Sequence, residues 1–189
     1  EYAVITAPAR LERIAQDFVA HYTKRWQTGK AMIVCVDKLT TVRMHALIEK
    51  YWQQEIAACK KQIQQATDDQ QQAELETYLE WLQNTERLVI VSEEQNEVKT
   101  FQKFGLDITS HRKIMKDPNR DLEEEFKKED HPFRVAVVCA MWLTGFDVEA
   151  LSTLYIDKPT KMHTLMQTIA RANRVKEGKP NGLIVDYNG

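Results

Sequence analysis

Arg134-Val135-Ala136-Val137-Val138-Cys139-Ala140-Met141-Trp142-Leu143-Thr144-Gly145-Phe146-Asp147 is the stretch that decides the fold. It opens as a short, nearly continuous apolar run and ends in a polar, glycine-containing loop. An apolar run without alternation needs cover on both faces, as a strand inside a parallel sheet has. Four more runs of this kind occur: Ala31 to Val36, Arg87 to Ser92, Thr153 to Asp157 and Leu183 to Tyr187. Helical patterns separate them. Strands alternating with helices predict an α/β fold, an open, mainly parallel sheet with helices on both faces and right-handed crossovers. In such sheets ligands bind at the carboxyl ends of the strands. The polar signatures of this chain fall there.

The helices are read from their periodicity. Leu11, Ile14, Ala15, Phe18, Val19 and Tyr22 repeat at helical spacing over residues 8–26, with Gly29 as a candidate C-cap. After the first strand, Thr40 or Thr41 is expected to cap a helix carrying Val42, Leu47, Ile48 and Tyr51. Its stripe continues through Trp52, Ile56, Cys59 and Ile63, pauses at Thr67-Asp68-Asp69, and resumes at Leu75, Tyr78, Leu79 and Leu82. Residues 52–85 therefore read as an inserted helical hairpin or one long bent helix projecting from the main fold. Nine glutamines lie in this segment, and the regular apolar stripe argues against low-complexity disorder. Residues 93–113 are polar and ambiguous. Residues 121–128 place acids first and lysines last, matching a helix dipole. A helix from Lys161 to Val175 precedes the last strand. The domain reading is an N-terminal linker helix over 1–28 and one α/β lobe over 29–189.

The 189 residues suffice for one domain, with an arm at most. An apolar content of 43% supports a core and argues against intrinsic disorder. No apolar run is long enough for a membrane span. The formal net charge of -2 does not select a nucleic-acid binder, although a local basic stripe can hide in a near-neutral average. The three cysteines, Cys35, Cys59 and Cys139, form no CxxC pair, so neither a zinc ribbon nor a disulfide scaffold is supported. The chain begins at Glu1 without a signal-peptide pattern and reads as a piece of a longer protein.

Two segments offer chemistry. In the first, Thr144 brings a hydroxyl and an N–H suited to a phosphate, Gly145 permits close backbone approach, and Asp147 can accept from a ribose hydroxyl or an arginine. A plain turn with an Asp N-cap would look the same. In the second, Gln167, Arg171 and Arg174 lie at i, i+4 and i+7 and share one helix face. Two guanidiniums one turn apart form a fork for a polyphosphate, and one could act as an arginine finger. A solvated basic face is the plain alternative. His163 begins that helix and could touch DNA or a nucleotide, or be an ordinary surface or core histidine. His21, His45, His111, His131 and His163 show no metal spacing. Lys38, Arg43 and Lys158 lie near strand ends and could meet DNA phosphates or stay solvated. Trp142 could stack on a ligand or belong to the core. Asp157 and Asp186 could bind a metal only if they converge.

The order of these segments resembles the second RecA-like lobe of superfamily 2 helicases and translocases, the C-terminal lobe of a P-loop NTPase motor. Thr144 to Asp147 matches motif V, Gln167 to Arg174 matches motif VI, and Ala31 to Asp37 resembles motif IV. The wording MWLTGFDVEALSTLYIDKP, LMQTIARANRV and GLIVDYNG is similar to the motor region of the restriction (R) subunit of type I restriction–modification enzymes. The strong match covers about 134–189 and a weaker one about 7–92.

The resemblance implies an ATP-dependent DNA translocase and type I deoxyribonuclease, prokaryotic and cytoplasmic. ATP and Mg²⁺ would bind jointly with a first RecA-like lobe of the same chain. Arg171 and Arg174 would be catalytic, reaching the γ-phosphate, with Gln167, Gly145 and Asp147 at the nucleotide. Thr144 and Lys38 would contact double-stranded DNA. Modification and specificity subunits would be partners, with no membrane. The chain departs from the complete family: it holds no G-x-x-x-x-G-K-[ST] loop, no Asp-Glu-x-His-type box and no recognisable nuclease acid–Lys constellation. Alone it is expected to be inactive. Two alternatives are the equivalent lobe of another superfamily 2 translocase and a non-catalytic α/β interaction module.

Overall fold

The structure, a computed structural model, describes residues 1–143, 150–159 and 182–188. Its elements are α1 (Tyr2–Ile5), α2 (Pro8–Lys24), β1 (Lys30–Cys35), α3 (Lys38–Gln65), α4 (Asp69–Asn84), β2 (Glu86–Ile90), α5 (Glu97–Gln102), α6 (Thr109–Met115), α7 (Leu122–Lys127), β3 (Phe133–Val138), β4 (Leu151–Asp157) and β5 (Leu183–Asp186). The expected helix over 161–175 lies outside the described residues.

The five strands form one sheet in the order β2-β3-β1-β4-β5, and every pairing is parallel. The runs of β1, β3 and β4 are buried almost throughout, as their lack of alternation required, whereas the edge strand β2 is buried over its last three residues and the edge strand β5 is only half-buried. Side chains alternate between two cores. Ala31, Ile33, Cys35, Val135, Val137 and Tyr155 face a core shared with α2, α3 and α4. Met32, Val34, Ala136, Val138, Leu154 and Ile156 face the other, which holds Leu122 and Phe126 of α7. Crossover handedness explains this division. The β1-to-β2 connection runs toward one edge of the sheet, and the β2-to-β3 connection turns back. A fixed crossover hand then puts their helices on opposite faces.

Helix α2 lies against α3 and buries Leu11, Phe18 and Tyr22. The glutamine-rich segment is a helical hairpin, α3 into α4, with Asp68 capping α4 through the Gln70 N–H at 3.2 Å. At its root the hairpin does not stand off the sheet. Trp52, Ile56, Cys59, Trp81 and Leu82 are buried in the first core, and the Trp52 Nε1–H donates to the Leu82 carbonyl at 2.9 Å.

Two expected caps differ. Helix α3 begins at Lys38, and its N-cap is Asp37, whose carboxylate accepts from the Thr40 N–H at 2.7 Å. Thr40 and Thr41 are buried in the first turn, and Thr41 Oγ1 donates back to the Asp37 carbonyl at 2.7 Å. Gly29 is not the cap of α2, which ends at Lys24 with Arg25 as its C-cap. It leads into β1 at φ +133°, where a Cβ would lie 2.7 Å from the Ala150 carbonyl oxygen. The ambiguous region 93–113 contains two short helices, α5 and most of α6, that buttress the end of β2.

Candidate nucleotide and DNA site at the carboxyl edge

All five carboxyl ends open on one edge, and each is tied down by side chains. After β1, Asp37 accepts from the Tyr2 hydroxyl and caps α3. Lys38 follows, its ammonium 2.6 Å from the Glu94 carboxylate.

After β2, Arg112 of α6 grips the backbone. Its guanidinium donates to the Val91 carbonyl at 3.0 Å and the Ser92 carbonyl at 3.2 Å. A two-pronged pair with Glu97, at 2.7 and 2.9 Å, holds it in place. That guanidinium keeps the largely buried Glu97 carboxyl below the usual carboxylate range, against the opposing effect of burial. Sequence reading missed this pair, because its partners stand in two short helices without an apolar stripe.

After β3, the chain turns through Trp142 at φ +67°. The indole is partly buried, and its ring is stacked with Phe126 at 5.5 Å, so it belongs to the core. The Lys158 ammonium donates to the Cys139 carbonyl at 3.0 Å and bridges the ends of β4 and β3.

After β4, Asp157 is fully buried. Arg10 of α2 stands 2.7 Å from one carboxylate oxygen and forms an ion pair with it. Burial raises the Asp157 pKa, and Arg10 opposes that shift. Arg10 also donates to the carbonyls of Ile5 at 2.9 Å and Tyr187 at 3.1 Å. No sequence signal marked Arg10, since an arginine in an amphipathic helix is ordinary. The Tyr187 hydroxyl donates to Asp17 at 2.7 Å.

Of the residues expected at the site, Lys38 is described and sits at the end of the central strand. Thr144, Gly145, Asp147, Gln167, Arg171 and Arg174, and also His163, lie outside the described residues. Arg43 stands over the Phe104 ring, 5.7 Å from its centroid. Asp157 and Asp186 do not converge. The register pairs Asp186 with Ile156, so the two carboxylates leave opposite faces of the sheet. No group of three His, Cys, Asp or Glu residues suited to a metal occurs among the described residues. His21, His45 and His131 are structural, bonded to the Tyr155 hydroxyl, the Arg87 carbonyl and the Phe133 N–H. The three cysteines are free and buried, and burial raises their thiol pKa values, so none is an activated nucleophile.

A cavity of about 650 Å³ lies beside this edge, at the ends of β2 and β3, and Ser92, Arg112, Arg120, Asp121, Met141 and Trp142 are among the residues lining it. Its two arginines are committed: Arg112 to Glu97, and Arg120 to Glu86 and Glu125 at 2.9 Å each.

Comparison with known proteins gives this geometry a family. The model of "Type I restriction enzyme subunit R domain 3" matches residues 27–189. The chain belongs to the type I restriction enzyme subunit R family. It is 32% identical over 181 residues, 95% of its length, to a Methanocaldococcus jannaschii protein named as a type I restriction enzyme MjaIXP endonuclease subunit. A second protein of that organism, named as the MjaVIIP endonuclease subunit, is 29% identical over 189 residues, 98% of this chain. The type I restriction enzyme HindI endonuclease subunit of Haemophilus influenzae is 51% identical over 77 residues, 39% of the chain. The chain spans 14% and 16% of the two Methanocaldococcus proteins.

Proposed function

We propose that this chain is the second RecA-like lobe of the DNA-translocating motor of a type I restriction subunit, and that its carboxyl edge joins an ATP cleft to a DNA track. One observation carries this reading. The segments expected to act begin at the carboxyl ends of three adjacent strands, β3, β1 and β4. The chain leaves β3 through Leu143 toward Thr144, Gly145 and Asp147. It leaves β1 into Asp37 and Lys38. It leaves β4 through Pro159 toward Gln167, Arg171 and Arg174. Strand order rather than sequence order thus brings their starting points together, at the edge where parallel α/β sheets bind ligands.

In this reading Arg171 and Arg174 present their guanidiniums to the γ-phosphate and stabilise the charge that spreads over it during transfer. Gln167, Gly145 and Asp147 line the nucleotide side. Thr144 and Lys38 meet DNA phosphates. Lys38 would exchange its exposed Glu94 partner for a phosphate, a small loss because surface ion pairs contribute little. A phosphate-binding loop on a first lobe would complete the site. The Mg²⁺ that accompanies the triphosphate is assigned to that lobe by the family resemblance. Cleavage chemistry, and docking with modification and specificity subunits, would belong to other parts of the enzyme.

The test is Arg171→Ala and Arg174→Ala, made separately in the intact subunit. Each is expected to lower DNA-stimulated ATP turnover by about 10³-fold or more, with the thermal unfolding midpoint unchanged. Turnover near the parent level in both variants would remove the role assigned to this helix.

A further inference from the structure

Beyond the motif segments, the carboxyl edge carries a second surface with the chemistry of a polyanion contact. Val98 and Phe104 are 42% and 53% exposed, among the few large apolar side chains that the described surface shows to water. Val98 lies on helix α5 and Phe104 just beyond its C-terminal end, and the opposite face of the helix is buried through Glu97 and Phe101. Phe101 packs with Val42 after β1, Val91 after β2 and Cys139 after β3, so α5 is seated directly on the strand ends. A tight turn fixes Phe104. The Gly105 N–H donates to the Gln102 carbonyl and the Leu106 N–H to the Phe101 carbonyl, both at 3.0 Å, with Gly105 at φ +68°. This is the Schellman pattern, which ends a helix in one defined direction. An exposed phenylalanine held this rigidly is placed for contact.

The charges around it are sorted. Three nearby glutamates are ion-paired. Glu93 pairs with Lys116 and Glu94 with Lys38, each at 2.6 Å. Glu97 is buried against Arg112. Asp107 accepts from the Thr109 N–H at 2.8 Å and opens α6. The cations Arg43, Lys99, Lys103 and Lys113 have no ion pair among the described residues. Lys99 of α5 and Lys103, its C-cap, are exposed and one turn apart, and Arg43 lies over the Phe104 ring. With Glu93, Glu94 and Glu97 paired, these cations outnumber the carboxylates Asp37 and Asp107, which have no ion pair among the described residues, and the patch carries a local positive excess on a chain whose net charge is slightly negative.

We propose that Phe104, Val98, Arg43, Lys99 and Lys103 form a contact for the sugar–phosphate backbone of duplex DNA. The lysines and Arg43 meet phosphates, and the Phe104 ring lies against deoxyribose. The proposal rests on the reading of this lobe as a DNA-tracking part, and adds to Lys38 and Thr144 a patch that the motifs do not contain. It predicts binding without sequence preference, since phosphate contacts carry no base information.

The experiment measures binding of the intact subunit to a duplex lacking any recognition site, without nucleotide, across a salt series. Lys99→Ala/Lys103→Ala is expected to reduce the slope of log affinity against log salt by about 2, at roughly 0.9 per phosphate contact. Phe104→Ala is expected to weaken binding about tenfold at fixed salt, as burying part of a phenylalanine allows, with the slope retained. All three side chains are exposed, so unfolding midpoints should not move, and measuring them separates lost contact from lost fold. Parent affinity and slope in both variants would overturn the proposal. So would normal DNA binding combined with weakened assembly with other subunits, which would make the patch a protein-docking surface. Because nucleotide is absent, the outcome is independent of the Arg171 and Arg174 test. Normal turnover in those variants would sink the motor reading and leave this measurement to decide the patch.

Discussion

At Gly29 the backbone takes φ +133°, a region that residues with a Cβ rarely adopt. An added methyl group would also stand 2.7 Å from the Ala150 carbonyl oxygen, which accepts the Lys30 N–H at 2.9 Å and so cannot retreat without losing a sheet hydrogen bond. Gly29→Ala is therefore expected to lower stability by about 1–3 kcal/mol, measured by denaturant unfolding. In the sequence this glycine reads as a helix cap, because it follows an amphipathic helix at the right distance. The neighbour that excludes a side chain lies more than a hundred positions away, and no local pattern reports it. Asp37 shows the converse. It was visible as a polar residue at a strand end, yet Thr40 and Thr41 were equally good caps by type. The choice fell to the residue in the extended conformation, whose carboxylate could reach the Thr40 N–H.

Elements were legible wherever a long apolar stripe or a buried run marked them. The five strands, α2 and the hairpin of α3 and α4 all followed from periodicity, because burial on a sheet face or along a helix stripe leaves a repeat in the chain. Helices α5 and α6 did not follow, since each spans at most two turns and much of what holds them is a single long-range ion pair. The hairpin also shows what periodicity omits. Its stripe gave the helices but not the depth of Trp52, which is fully buried among Tyr22, Trp81 and the Arg87 guanidinium, the last 4.6 Å from its ring centroid. Trp52→Ala is expected to cost about 3–5 kcal/mol, seen as a lower unfolding midpoint. An effect below about 1 kcal/mol would mean that the hairpin is an appendage and not part of the core.

On the scale of the whole molecule, acid stability depends on where the fold parks its histidines. His45 of α3 and His111 of α6 meet edge to face, with ring centroids 4.8 Å apart. Glu49, Arg87 and Asp107 also act on the pair. Burial, then the neighbouring His45, pushes His111 down to about 4 from its ordinary 6.5. Between those values the unfolded chain binds the proton and the folded chain does not, so stability falls as the pH drops from about 6.5 toward 4 and rises again with pH. His111→Gln is expected to make the unfolding midpoint fall less steeply across that window, with His45 and His21 still contributing in the same direction, while a profile identical to the parent would show that His111 does not contribute to it. Such a pair is invisible in sequence, because α3 and α6 meet only once the sheet has assembled.

The same division holds for the candidate site. Composition, buried runs and the spacing of Thr144 to Asp147 and of Gln167, Arg171 and Arg174 are properties of the chain, and they determined the fold class, the family resemblance and which residues could bind phosphate. Strand order is not a property of any local segment. The choice of β1 as the centre, flanked by β3 and β4, depends on which long crossovers pack best on each face. Only that choice put Asp37 and Lys38 between the carboxyl ends of β3 and β4 and seated α5 on the strand ends.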